Sequence, residues 1–167
     1  KLDHSLASDY QVKVKNLRKV YRDRGIRKVA VKELSFGVQY GECFSLLGVN
    51  GAGKTTTFKI LTGDIHPTRG KVHINGFNVL DRDEISKARK YIGYCPQFDA
   101  LFTGLTVREH LEFYAKIKGV EPNKREEVVK RKMKQMDLLE YENINATYLS
   151  GGNKRKLSVA MAMIGNP

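Results

Sequence analysis

Two stretches of this 167-residue sequence carry residue types at spacings that can do chemistry. In the first, Gly48, Val49, Asn50, Gly51, Ala52, Gly53, Lys54 and Thr55 satisfy the pattern G-x-x-x-x-G-K-[ST] at every fixed position. Its glycines let the backbone curl so that successive N–H groups point at one anion, with a helix N-terminus behind them adding partial positive charge. Lys54 supplies a mobile point charge for the β- and γ-phosphates of a nucleotide, and the Thr55 hydroxyl can complete a Mg²⁺ shell. Thr56 is placed to reach the α-phosphate. In the second stretch, Leu149, Ser150, Gly151, Gly152 and Asn153 open the last helical segment. A serine cap followed by two glycines leaves backbone N–H groups open to a phosphate. Alone, it reads as an ordinary capped helix; beside a phosphate loop, it reads as a second anion-binding device.

Both motifs need elements to hold them. Short strands are expected at residues 12–14, 29–31, 34–38 and 43–47, with Gly25, Gly37 and Gly41 as punctuation. After Gly53 the apolar period becomes helical, with Phe58 and Leu61 on one face and Gly63 as the stop. Further strands are expected at 71–75 and 91–94, with a short helix around Ile85 and Ala88 between them. Beyond, the character is helical. Thr106 and Glu109 form a capping box ahead of a helix burying Val107, Leu111 and Tyr114, and Asn123 with Glu126 repeats the device ahead of Val129, Met133 and Met136. Ser150 caps a last helix with Leu157, Ala160, Met161 and Ile164 on its apolar face. The reading divides the chain into a strand-rich phosphate-loop part (1–97), a helical part (98–148) and a motif helix (149–167).

Composition narrows the class. A 41% hydrophobic content suffices for a core, and no run of 18 or more apolar residues occurs. The start at Lys1, with neither initiator Met nor signal peptide, reads as a piece of a longer polypeptide. Cys43 and Cys95 fall in expected buried strands and read as reduced core thiols. His4, His66, His73 and His110 lack metal-ligand spacing and read as surface or packing residues. The net charge of +12 suits a polyanionic partner, yet the nine basic residues between Lys13 and Lys32 alternate with apolar ones, as on the solvent side of edge strands. The run Lys154-Arg155-Lys156 reads as an exposed helix face.

The order of motifs resembles the nucleotide-binding domain of an ATP-binding cassette (ABC) transporter. Tyr21, 27 residues before Gly48, stands where that family places the ring stacked on adenine, and Gln97, in Tyr94-Cys95-Pro96-Gln97-Phe98-Asp99, stands where it has its Q-loop glutamine. Residues 149–153 correspond to its signature sequence, with Asn153 in place of the commoner Gln. The wording of residues 41–50, 59–64, 94–101, 108–111 and 150–158 is similar to the A subfamily of chiefly lipid-moving transporters, and closer to a second cassette than a first.

The resemblance implies an α/β fold: a P-loop NTPase (RecA-like) core with an N-terminal antiparallel β subdomain and a helical signature subdomain, incomplete because the sequence stops at Pro167. The family's Mg²⁺-ligating Asp, catalytic Glu and switch His lie past that point in the family pattern. None of Asp64, Asp99 or Glu109 follows a suitable strand to replace them, so this chain alone is expected to bind ATP weakly without turnover. The implied cofactors are ATP and Mg²⁺. Tyr21 stacks adenine and residues 48–56 hold the triphosphate. Lys54 and Gln97 are the catalytic residues present, and Thr55 and Gln97 meet the metal. Ser150, Gly151 and Gly152 close over ATP held by an opposite cassette. Implied partners are a second cassette, a transmembrane domain and a lipid substrate, at the cytosolic face of a membrane and without specific nucleic acid. A soluble ABC-type ATPase acting on nucleic acid or ribosomes is the alternative, favoured only by net charge.

Overall fold

The computed structural model describes residues 10–167 and divides into two compact units, Lys1–Tyr91 and Ile92–Pro167. The division precedes the 97/98 boundary read from the sequence. His4 lies outside the described residues.

In the first unit, β1 (Tyr10–Asp23) and β2 (Ile26–Gln39) form a long hairpin. Arg24 and Gly25, both at positive φ, make its two-residue turn. With β3 (Arg69–Ile74) and β4 (Phe77–Asn78), they complete an antiparallel sheet of order β2-β1-β3-β4. The two strands expected at 29–31 and 34–38 are one continuous strand. Gly37 does not punctuate it, because the Tyr10 ring lies over that position, within 2.5 Å of where a Cβ would stand. At Asn16 (φ 50°) the β1 ladder is irregular; its N–H donates to Ser35 Oγ at 2.8 Å. Val14, Leu17, Val31, Val72 and Ile74 bury the inner face against α1 (Lys54–Leu61), whose inward residues are Thr57 and Ile60. Phe58, expected on that buried face, is exposed.

The expected strands at 43–47 and 91–94 do not form. A strand exists only where a neighbour takes up its N–H and C=O groups, and among the described residues none pairs with either segment. Glu42 instead closes a tight turn, its carboxylate accepting the Gln39 N–H at 2.7 Å, and Phe44 stacks on Phe36 at 4.8 Å. Cys43 is therefore exposed and Cys95 only half-buried, so neither is the core thiol expected. Residues 85–88 form the short helix α2 (Ile85–Ala88), followed by a 3₁₀ turn at Arg89–Tyr91.

The second unit packs α3 (Val107–Ile117), α4 (Arg125–Gln135) and α5 (Gly151–Ala162) around Leu111, Val129, Met133, Leu138, Leu157, Ala160 and Ile164. The capping box before α3 is complete: Thr106 Oγ1 accepts the Glu109 N–H at 3.2 Å and Glu109 Oε2 accepts the Thr106 N–H at 2.8 Å. This holds the Glu109 carboxyl below its ordinary pKa, the Thr106 backbone hydrogen bond being the main cause. The second expected box is absent. Pro122–Lys124 is a 3₁₀ turn, and Lys124, already helical in φ and ψ, stands at the α4 N-cap with no side-chain cap bond. Met133 is fully buried and Met136 packs against the same core. His110 is buried on α3, with Nε2 accepting the Phe102 N–H at 2.9 Å and Nδ1 donating to the Thr106 carbonyl at 2.8 Å. That fixes its tautomer and makes it a packing residue.

Candidate functional site

The phosphate loop belongs to the first unit. Ala52 N–H donates to the Val49 carbonyl at 3.1 Å, turning the chain over Asn50 and Gly51. Gly53, at φ 93°, is the N-cap of α1 and makes no side-chain cap bond. Its place admits no other residue: a Cβ would strike the Ala30 carbonyl oxygen of β2. The consequence is a helix whose leading N–H groups, from Lys54 onward, have no intrahelical or capping acceptor. No acidic side chain stands in that first turn, so the partial positive charge of the helix end is uncompensated. Lys54 Nζ folds over the loop and donates to the carbonyls of Gly48 (2.5 Å) and Val49 (3.0 Å). Thr55 is exposed, while Thr57 is buried with Oγ1 donating to the Gly53 carbonyl at 3.0 Å, pinning loop to helix.

Tyr21 lies toward the end of β1, on the face that looks to α1. Its hydroxyl is 3.5 Å from Thr56 Oγ1, and Lys19 Nζ sits 5.1 Å from its ring centroid. Tyr21 as a whole remains 39% exposed. The donor set therefore fits a nucleoside triphosphate: N–H groups and an ammonium for the phosphates, a hydroxyl for a cation and an aromatic ring for a base.

The second motif belongs to the other unit. Ser150 Oγ accepts the Asn153 N–H at 3.2 Å and caps α5. Gly151 and Gly152 are exposed, and a Cβ on Gly151 would meet nothing within 4 Å. Neither has a positive φ. Packing inside the unit does not demand glycine at either position.

Gln97 is exposed on an irregular segment of this unit, and the residues around it are tied to α5 by contacts the sequence reading missed. Ser158, 2% exposed, donates through Oγ to Asp99 Oδ1 at 2.8 Å. Arg155 Nη1 donates to the Pro96 carbonyl at 2.5 Å and lies 3.3 Å from Asp99 Oδ1. Arg155 and Lys156 lie on an exposed helix face, as expected, yet Arg155 also clamps the Gln97 segment and Lys156 reaches Asp137 at 3.5 Å. The only sequence hint is spacing: Arg155 and Ser158 are three apart and share one side of a helix. The carboxylates withheld from base duty are engaged structurally, Asp99 here, Glu109 in the capping box and Asp64 near Lys59 at 3.8 Å.

The description of the ABC transporter family matches residues 31–167. The chain belongs to that family. Its curated relatives include human ATP-binding cassette sub-family A member 2, 49% identical over 162 residues, and the human retinal-specific phospholipid-transporting ATPase ABCA4, 48% identical over 156. These alignments cover 96% and 93% of this chain but 7% of each relative, so the cassette spans a small part of their length. Among solved structures, the ATP-binding cassette MJ0796, described as a dimer in a post-hydrolysis state bound to ADP and Pi, superposes with a TM-score of 0.82. It is 30% identical, over 93% of this chain and 70% of that one. An ABC transporter ATP-binding subunit matches at a TM-score of 0.81 and 29% identity, over 94% of this chain and 63% of that one. The α/β class is thus that of an ABC ATPase cassette of the sub-family A type, though the strands expected on either side of the phosphate-loop core are absent among the described residues. No helix among the described residues is long and apolar enough to cross a membrane.

Proposed function

We propose that this cassette binds Mg-ATP through residues 48–56 and Tyr21, and that it works in a two-cassette transporter which couples ATP hydrolysis to movement of a lipid. The observation that carries the reading is the uncapped, acid-free N-terminus of α1 behind Gly53 with Lys54 beside it. In ATP binding, the Lys54 ammonium exchanges the carbonyls of Gly48 and Val49 for phosphate oxygens, and Tyr21 offers its ring to the base. Mg²⁺, when bound, neutralises charge on the phosphates; Thr55 is the residue of this unit assigned to it, and Gln97 is assigned by the family resemblance alone. Phosphoryl transfer asks the protein mainly for position and charge, which is what backbone N–H groups and a lysine supply.

Ser150, Gly151 and Gly152 are assigned to the ATP of the opposing cassette. Open glycines on a capped helix end support that role, since a side chain there would block close approach. The dimeric MJ0796 cassette is the precedent for pairing. ATP then acts as the link between two cassettes, and hydrolysis releases them. The lipid substrate rests on the phospholipid-transporting relative, and the cytosolic face of a membrane is the place such a cassette would occupy. The Gln97 segment, tied to α5 by Asp99 and Arg155, is suited to pass movement of the signature helix to a transmembrane domain.

Equilibrium binding of Mg-ATP to the complete protein carrying this chain tests the nucleotide assignment. Lys54→Ala in this cassette should lower affinity there by tenfold or more, about 1.4 kcal/mol, while Ser150→Ala should leave it near wild type. Unchanged affinity in Lys54→Ala contradicts the assignment.

A further inference from the structure

The outer face of the antiparallel sheet carries like charges in register. Lys15 pairs with Lys71, Arg18 with Arg69 and Arg22 with Arg27 as direct cross-strand neighbours. Like charges placed opposite one another destabilise a sheet, so the fold does not account for this arrangement. These six side chains line a groove of about 910 Å³ in which Glu33 is the one acidic residue among the described lining. None of the six makes an ion pair among the described residues. Next on the same face, burial holds His73 below its ordinary pKa; Lys71 and Lys13 push the same way and Glu84 opposes them. The groove lining itself is therefore strongly basic, with Lys32 beside the six and Glu33 as its carboxylate.

Strand alternation separates the groove from the nucleotide residues. Lys19 and Tyr21 point to the α1 side of β1, while Arg18 and Arg22 point away from it. The volume is that of a small-molecule site, its concavity cannot be filled by a planar lipid surface, and arginine forks match phosphate oxygens in pairs. We infer that this groove binds a soluble, multiply phosphorylated small molecule, distinct from the ATP of the phosphate loop. Such a ligand would relieve the three like-charge pairs and stiffen the sheet from which Tyr21 projects.

The test titrates inositol hexakisphosphate into the complete protein under saturating Mg-ATP, at about 50 mM and about 200 mM salt. Saturable binding is expected that weakens by roughly tenfold or more at the higher salt and that ATP does not displace. Arg69→Glu should weaken the probe by roughly tenfold or more, whereas its thermal midpoint without ligand should hold or rise, because a carboxylate then faces Arg18. Lys71→Arg should retain binding. Four results would overturn the inference: no binding at low salt, full affinity in Arg69→Glu, displacement by ATP, or equal affinity for an acidic peptide, RNA or anionic vesicles at matched charge. Lys54→Ala separates the two assignments, since it should weaken ATP binding in this cassette by tenfold or more and leave the probe's affinity unchanged.

Discussion

Removing the Asp99 carboxylate should loosen the Gln97 segment from α5, by an amount that follows from the contacts. Ser158 is 2% exposed and donates to Asp99 Oδ1 at 2.8 Å. Asp99→Ala leaves that hydroxyl buried without its acceptor, a penalty of about 1–3 kcal/mol. The Arg155 pair adds little: its partners are 46% and 27% exposed, and such pairs contribute about 0.2–1 kcal/mol after screening. Arg155 also keeps the Pro96 carbonyl, so the clamp is weakened without being lost. The expected total is about 2 kcal/mol. Urea unfolding of Asp99→Ala, Ser158→Ala and the double variant measures it as a cycle, with an expected coupling near 1 kcal/mol. ATP hydrolysis by the complete protein should fall in Asp99→Ala while ATP affinity holds, because the phosphate loop is untouched. A coupling of zero, with single-variant costs that simply add, would refute the reasoning.

Other outcomes follow from single features. Gly53→Ala should abolish nucleotide binding, since φ 93° and the Ala30 carbonyl both exclude a Cβ; retained binding in a titration would contradict the loop geometry. Thr106→Ala should cost about 1 kcal/mol in urea unfolding through loss of the α3 cap. Because Glu109 has a depressed folded-state pKa, its capping contribution is present above its unfolded value near 4.5 and lost as pH falls through the folded value. The acid limb of the stability profile should therefore flatten in Glu109→Gln, and an unchanged limb would contradict the assignment.

What could be read from the sequence was what depends on neighbours along the chain. The Thr106–Glu109 box, the Ser150 cap and the apolar stripe of Leu157, Ala160, Met161 and Ile164 are local devices, and the structure contains each. The glycine pattern of residues 48–53 likewise stated its own backbone need. What could not be read depends on residues far off in sequence. An apolar run such as 43–47 reads as a strand whether or not a ladder exists beside it. Gly37 reads as a break until the Tyr10 ring is seen covering it. Asn123 reads as a cap, but Pro122 starts a 3₁₀ turn that shifts the helix onset past it. The charges were legible as exposed but not in their partners: the contact of Arg155 with the Pro96 carbonyl needs the tertiary fold, and the basic residues of β1 reveal their conflict only once register sets Arg18 against Arg69.

The most direct test of the account is nucleotide-dependent closure of the complete protein, followed by the distance between labels on its two cassettes. Mg-ATP should close the wild type. Lys54→Ala should bind ATP in this cassette tenfold or more weakly and fail to close, whereas Ser150→Arg should bind it with near-normal affinity and still fail to close. Equal loss of ATP binding in both variants would show that Ser150 and Lys54 serve one nucleotide, and would contradict the shared-site account.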